Sequence, residues 1–337
     1  MVENQRETLA LPCMGKSELG RKAEDFLEAH GRMSQNTARA YRNALNRFAQ
    51  FYRDQGSLED FIVRVNADSK RDYGGDRVAE KTLSSFIKSL KAEGLSRKAT
   101  RLYASAVQSL FKYLRISVTL SLTGLPKNRA EVEMYAWKNA DRVGQFVSLM
   151  PDITYRTIGA SIFQSGLSLV DLLGLKYGAI KDEFESHVLP LALTFTIEGR
   201  EKTEVSFITF LGRWAVDLLT EYLKDKNLDA GARLFPMSPE AVDSAFRTNA
   251  RKFLGQAWQK GRNPCSPGSL RHGFRTVAIK SEVLETVEAE FFMGHKLGGN
   301  IQAIYTTRDV DDWRQVYSKV EGFLTPDTLK TVPEQLA

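Results

Sequence analysis

Cysteine is nearly absent from this 337-residue chain: Cys13 and Cys265 are its two, far apart in sequence. Two thiols cannot build a disulfide framework or a cysteine-based zinc site, and their scarcity fits a reducing cytoplasm. Histidine is also rare, at four residues. No set with metal-ligand spacing appears, so no metal or other cofactor is expected. No apolar run approaches the roughly 18 residues that a membrane span needs. The first fifteen residues carry Glu3, Arg6 and Glu7 without a long apolar core, which argues against a secretory signal. Internal repeats and low-complexity tracts are absent too. What remains is the composition of a soluble globular protein, 42% hydrophobic and 26% charged.

The length favours two domains over one core. The net charge is +6, and its distribution is uneven. Residues 1–115 hold 21 Lys/Arg against 14 Asp/Glu, whereas the rest holds 26 against 27. The positive excess therefore sits wholly in the N-terminal third. A basic domain beside a near-neutral one suggests a polyanion-binding module next to a different one. On charge alone, ordinary solvated helix faces explain the excess equally well.

Residues 1–16 read as a flexible leader and 17–116 as a helical domain. Ser34 is a candidate N-cap for a stripe of Tyr41, Leu45, Phe48 and Tyr52 at helical spacing. Leu83, Phe86, Ile87 and Leu90 mark another helix, ended by Gly94. Ser96 caps a later one with Tyr103, Val107, Leu110 and Leu114 on one face. Arg39 and Arg42 lie off the first stripe, and Arg97, Lys98 and Arg101 sit at the start of the last helix. These five are candidate phosphate contacts. Residues 117–137, with Gly124 and Pro126, read as a linker. In 138–325 a strand is predicted over 189–197, a turn at Gly199-Arg200-Glu201-Lys202, and a returning strand over 205–210. Helices are predicted within 152–175 and over 213–225, 239–254, 268–281, 284–293 and 309–323. Residues 326–337 read as a tail. The expected class is mainly α with one small β-hairpin.

One segment concentrates chemistry: Arg271-His272-Gly273-Phe274-Arg275, then Gly294-His295, then Tyr305. A tyrosine oxygen can hold a phosphodiester's bond energy in a covalent ester. A phenol titrates near ~10, so it needs help to attack at neutral pH. Negative charge gathers on the non-bridging oxygens in the transition state, where fixed cations and donors act most strongly. Arg275 supplies a planar fork for two phosphate oxygens. His272, one turn earlier, can donate to phosphate or accept the tyrosine proton, and His295 is a second imidazole donor.

The order and spacing of His272, Arg275, His295 and Tyr305 resemble the catalytic core of the tyrosine recombinases, the phage-integrase and Xer class. Ser269-Leu270-Arg271, Phe292-Met293-Gly294 and Ile301-Gln302-Ala303-Ile304 match around them. Arg200-Glu201-Lys202-Thr203 and Ser269-Leu270-Arg271 look most like archaeal and archaeal-virus members. The resemblance implies a helical core-binding domain and a catalytic domain closing as a C-shaped clamp on double-stranded DNA. It implies cleavage through a 3′-phosphotyrosine on Tyr305, without metal, and Lys202 on the hairpin turn as general acid, with Arg200 as fallback. It also implies a helical, mobile 300–305 segment and a tetramer on DNA. That tetramer would be built through the C-terminal helix, whose stripe is Val310, Trp313, Val316, Tyr317 and Val320.

One position departs from the family. Gly166-Leu167-Ser168-Leu169-Val170-Asp171-Leu172 matches a segment that normally carries an arginine, and Ser168 fills its slot. A hydroxyl carries no charge, and losing a charged donor there costs about 3–4 kcal/mol of transition-state stabilisation. Either another basic residue such as Arg156 substitutes, or the enzyme is slow, or the chain is an inactive recombinase-like DNA-binding protein. A type IB topoisomerase shares the nucleophile chemistry and is the rival enzyme class.

Overall fold

The computed structural model describes residues 18–33, 35–71, 75–116, 137–196, 205–258, 263–298 and 307–330. The chain divides into two compact units, residues 1–132 and 133–337.

The first unit is all helix among its described residues: α1 (Glu18–Met33), α2 (Gln35–Tyr52), α3 (Leu58–Ser69), α4 (Val78–Ala92) and α5 (Arg97–Tyr113). Local signals set the ends. Ser57 and Asp60 form a reciprocal capping box at the start of α3, and the Ser96 hydroxyl accepts from Ala99 N at the start of α5. Gly94 takes the left-handed conformation (φ +78°) after α4. The predicted cap at Ser34 lies outside the described residues. The apolar stripes meet as expected. Phe48 packs against Phe61 and Phe86 with ring centroids 4.9 and 5.1 Å apart. Leu45, Phe48 and Tyr52 are buried.

The second unit surrounds a two-stranded antiparallel hairpin with helices. Its elements are α6 (Ala140–Ser148), α7 (Ile153–Ser165), α8 (Leu169–Gly174), α9 (Lys181–Glu185), β1 (Leu191–Phe195), β2 (Phe207–Leu211), α10 (Arg213–Leu223), α11 (Pro239–Leu254), α12 (Pro267–Lys280), α13 (Thr286–Phe292), α14 (Val310–Glu321) and α15 (Asp327–Lys330). Leu191 pairs with Leu211 and Phe195 with Phe207, whose rings stack at 4.7 Å. The hairpin is shorter than the predicted strands, and its turn, with Arg200 and Lys202, lies outside the described residues.

Helix α7 is the central strut. Every residue from Thr157 to Ser165 is buried, which is why it shows no amphipathic stripe. Its C-terminal end is held from several sides. Gln164 Oε1 accepts from Ala215 N (2.9 Å) of α10, Gln164 O accepts from the Tyr317 hydroxyl (2.9 Å), and Ser165 O accepts from Thr209 Oγ1 (2.6 Å) of β2.

Two boundaries differ from the sequence reading. Trp137, placed at the end of the linker, is 1% exposed and belongs to the second core. Residues 326–330, set aside as tail, pack instead: Pro326 is buried and Asp327 N donates to Asp141 Oδ1 of α6 at 2.7 Å. Residues 1–16 and the rest of the linker lie outside the described residues.

The last long helix requires a correction. Its Trp313, Tyr317 and Val320 are fully buried in their own unit. Trp313 stacks on Phe291 at 4.4 Å, and Tyr317 meets Phe210 at 5.3 Å. Apolar periodicity at a chain end looks the same whether it covers the chain's own core or a neighbour's, and here it covers the chain's own.

Candidate active site

The site grows from the end of α7. Gly166 ends that helix at φ +68°, a conformation that L side chains rarely adopt. A Cβ there would lie 2.6 Å from Phe274 Cδ1 and 3.0 Å from Met293 Cγ. Gly166→Ala should therefore combine left-handed strain with overpacking, costing about 3 kcal/mol. Thermal unfolding should register it as a drop of roughly 6–12 °C.

Helix α12 starts with Pro267 in its first turn and Ser266 as cap. Leu270, Phe274 and Val277 face inward. Gly273 lets the helix approach Trp137, whose indole donates to Ser269 Oγ at 2.9 Å. That inward face leaves Arg271 and Arg275, one turn apart, along a single edge.

Helix α13 ends in a Schellman motif. Gly294 (φ +65°) donates to Phe291 O at 2.8 Å, and His295 N donates to Glu290 O at 3.1 Å. The motif turns the chain sharply and brings the His295 ring back over Glu290.

Arg271 sits at the centre. Its guanidinium donates to Gly166 O (2.5 Å) and Met293 O (2.8 Å), and one terminal nitrogen lies 2.8 Å from His295 Nε2. The opposite ring nitrogen, Nδ1, pairs with Glu290 Oε2, and Glu290 Oε1 pairs with Arg275 Nε. The result is a chain of groups: Arg271, His295, Glu290, Arg275. Burial works to raise the Glu290 carboxyl, but hydrogen bonds from His295 and Arg275 outweigh it and hold the group below its ordinary value. Its contribution to stability is therefore complete above the unfolded carboxyl's value near ~4.3. It is lost as the pH falls through the lower folded value.

Arg275 is thus on the site edge but exposed and paired with a carboxylate. Arg271, treated in the sequence reading as a lead-in to His272-x-x-Arg275, is the arginine joined to His295. The apolar triplet Leu270, Phe274 and Val277 marks the edge that both arginines share but does not choose between them. His272 is half-buried, and its carbonyl accepts from Thr276 Oγ1. Lys202 and Tyr305 lie outside the described residues, as does the segment predicted to be helical over 300–305.

Ser168 is occupied by a local task. Its hydroxyl accepts from Asp171 N (3.2 Å) and donates to Asp171 Oδ2 (2.7 Å), capping α8. Arg156 does not lie beside it. Arg156 is in the first turn of α7, roughly 14 Å along the helix from its last residue, and its Nε donates to Met150 O at 2.5 Å.

In the first unit, Arg39, Arg97 and Lys98 are exposed, and Arg42 and Arg101 are half-buried. Tyr113 of α5 meets Phe26, whose ring also meets Tyr41 of α2, while Glu93, just ahead of α5, pairs with Arg47. Helices α2 and α5 therefore run antiparallel. The five basic residues form two groups toward opposite ends of the pair, roughly 20 Å apart.

Among the described residues, no group of three His, Cys, Asp or Glu side chains could hold a metal, and no helix is long and apolar enough to cross a membrane.

No protein-family model matches the chain. It is 23% identical over 316 residues to the tyrosine recombinase XerC of Natranaerobius thermophilus, a match covering 88% of this chain and 95% of that protein. The sequence is thus similar to a tyrosine recombinase along most of its length. Solved recombinase structures are similar at low identity. XerH bound to its difH substrate is 15% identical, covering 90% of this chain and 94% of that one at a TM-score of 0.49. A lambda integrase tetramer bound to a Holliday junction is 15% identical, covering 75% and 79% at 0.49.

Proposed function

We propose that this chain is a site-specific DNA recombinase that cuts and rejoins strands through a phosphotyrosyl ester on Tyr305. The observation that carries the reading is the pairing of Arg271 with His295 at the junction of α7, α12 and α13, ten positions ahead of the candidate nucleophile. In the reaction the Tyr305 oxygen attacks phosphorus as its proton passes to His272, the bond to the 5′-oxygen breaks, and that oxygen leaves with a proton from Lys202. The free 5′-hydroxyl later reverses the step on a partner strand. Arg271 takes the phosphate role that spacing assigned to Arg275, because its guanidinium is already fixed by two carbonyls and a ring nitrogen. His272 remains the candidate second donor on the same helix. The basic first unit holds the duplex through Arg39, Arg42, Arg97, Lys98 and Arg101, in the cytoplasm, on the nucleoid. A tetramer on DNA, implied by the resemblance, would have to use surfaces other than the Trp313–Tyr317 stripe.

The test is a duplex selected for binding from a randomised pool, then nicked beside the cleavage position. A denaturant-resistant protein–DNA adduct is expected. If no adduct forms on any selected duplex, the reading that Ser168 favours, a non-catalytic DNA-binding relative, takes its place. Cleavage without a paired site, followed by relaxation of supercoils, would point to a topoisomerase.

Ser168 gives a further prediction. Ser168→Arg removes the α8 cap, costing about 1 kcal/mol, read as a fall in melting temperature of roughly 2–4 °C. It also returns a guanidinium to the arginine slot, so the single-turnover adduct rate should rise about tenfold or more. An unchanged rate would mean that another cation already fills the role.

A further inference from the structure

Glu290 has no part in the chemistry described above, yet it contacts two of the groups that surround it. Its two carboxylate oxygens go to different partners, His295 Nδ1 and Arg275 Nε. It is set against His295 twice, because its backbone carbonyl also accepts from His295 N in the Schellman turn. On the other side of the ring, Nε2 faces the Arg271 guanidinium at 2.8 Å.

A guanidinium only donates hydrogen bonds, and an ionised carboxylate only accepts them. A ring between the two has one neutral arrangement that satisfies both neighbours: the proton on Nδ1, toward Glu290, and the lone pair on Nε2, toward Arg271. The opposite tautomer would set an N–H against an N–H at Arg271 and a lone pair against a carboxylate oxygen at Glu290. Which nitrogen of a histidine carries the proton is set by the partner of the other.

We propose that Glu290 is a positioning residue that fixes His295 as the Nδ1–H tautomer, leaving the Nε2 lone pair to accept from Arg271. A second part rests on the recombinase reading: the ring so fixed aligns the Arg271 guanidinium for the scissile phosphate, and Glu290 acts on cleavage only through it. His295 is then an acceptor that steadies Arg271, whereas its residue type and spacing alone suggested a donor to phosphate. The charged groups around the ring are Arg271 and Arg275 from α12, Glu290 from α13, and Lys296 next in the chain.

The first part is tested in the full-length protein without DNA, by ¹⁵N signals of the four histidines at alkaline pH, with His295 assigned by its loss in His295→Gln. Wild type should show a protonated Nδ1 and a bare Nε2. Glu290→Gln should look the same, because its one amide oxygen accepts from Nδ1 while the exposed Arg275 turns to water. Glu290→Ala should move a substantial fraction of the proton to Nε2. A wild-type ring protonated at Nε2, or a tautomer unchanged in Glu290→Ala, overturns the proposal.

The second part is read from single-turnover adduct formation on the selected nicked duplex. Glu290→Ala should slow it by about 10–100-fold with DNA affinity equal or tighter, since a carboxylate has been removed from an anion site. Glu290→Gln should recover most of the rate. A merely structural ion pair would lower affinity and rate together. Full speed in Glu290→Ala, or a loss in Glu290→Gln as deep as in Glu290→Ala, overturns it. A wild-type protein that forms no adduct overturns the recombinase reading, while the ring-nitrogen signals still decide what Glu290 does.

Discussion

Tyr305→Phe should leave duplex binding intact and eliminate the covalent adduct altogether. The substitution deletes one oxygen and keeps the ring. On the proposed reading, binding rests on phosphate contacts by Lys and Arg, none of which changes. The adduct cannot form, because without the phenolic oxygen there is no atom to carry the ester. Other donors and cations of the site would still grip the phosphate, so loss of the adduct together with loss of binding would indicate unfolding, which circular dichroism separates. An adduct that survives in Tyr305→Phe places the nucleophile on a different residue and ends the assignment.

The second large effect is expected at Arg271. Arg271→Ala should lower the single-turnover rate by about 10²–10³-fold, the usual cost of removing a donor aimed at developing charge. It should also lower stability, since Gly166 O and Met293 O lose a charged donor, at roughly 1–3 kcal/mol for each carbonyl left unsatisfied. Arg271→Lys should rescue little. An ammonium is a point charge on a flexible stem, whereas the guanidinium fork meets Gly166, Met293 and His295 at once in fixed directions. Arg275→Ala should be the milder change, because that side chain is exposed and already neutralised by Glu290. Kinetics that reversed this order, with Arg275→Ala inactive and Arg271→Ala active, would restore the spacing-based choice and remove the geometric one.

The reasons for that disagreement show what a sequence makes legible. Helix positions were legible where capping and periodicity agree: the Ser96 hydroxyl accepts from Ala99 N as the predicted N-cap. The run 239–254 was placed to the residue. The hairpin was legible because β-branched and aromatic residues alternate around a glycine turn. Two features were not legible. Which residue of Arg271-His272-Gly273-Phe274-Arg275 faces the site depends on how α12 is rotated about its axis. Contacts with Trp137 and Gly166, far away in the chain, set that rotation. The role of Glu290 was also hidden, since a lone glutamate in a helix reads as solvated surface until the Schellman turn folds His295 over it. Ser168 lies between these cases. Its departure from the family pattern was visible, but its cap on α8 shows only in the fold.

The binding of Gln164 has one more consequence. The Tyr317 hydroxyl holds the carbonyl of Gln164, and two residues later the carbonyl of Gly166 holds the guanidinium of Arg271. A rigid, fully packed helix end lies between them. A displacement of the last long helix would therefore reach the Arg271 guanidinium through a path only a few bonds long, which ties that helix to the candidate site.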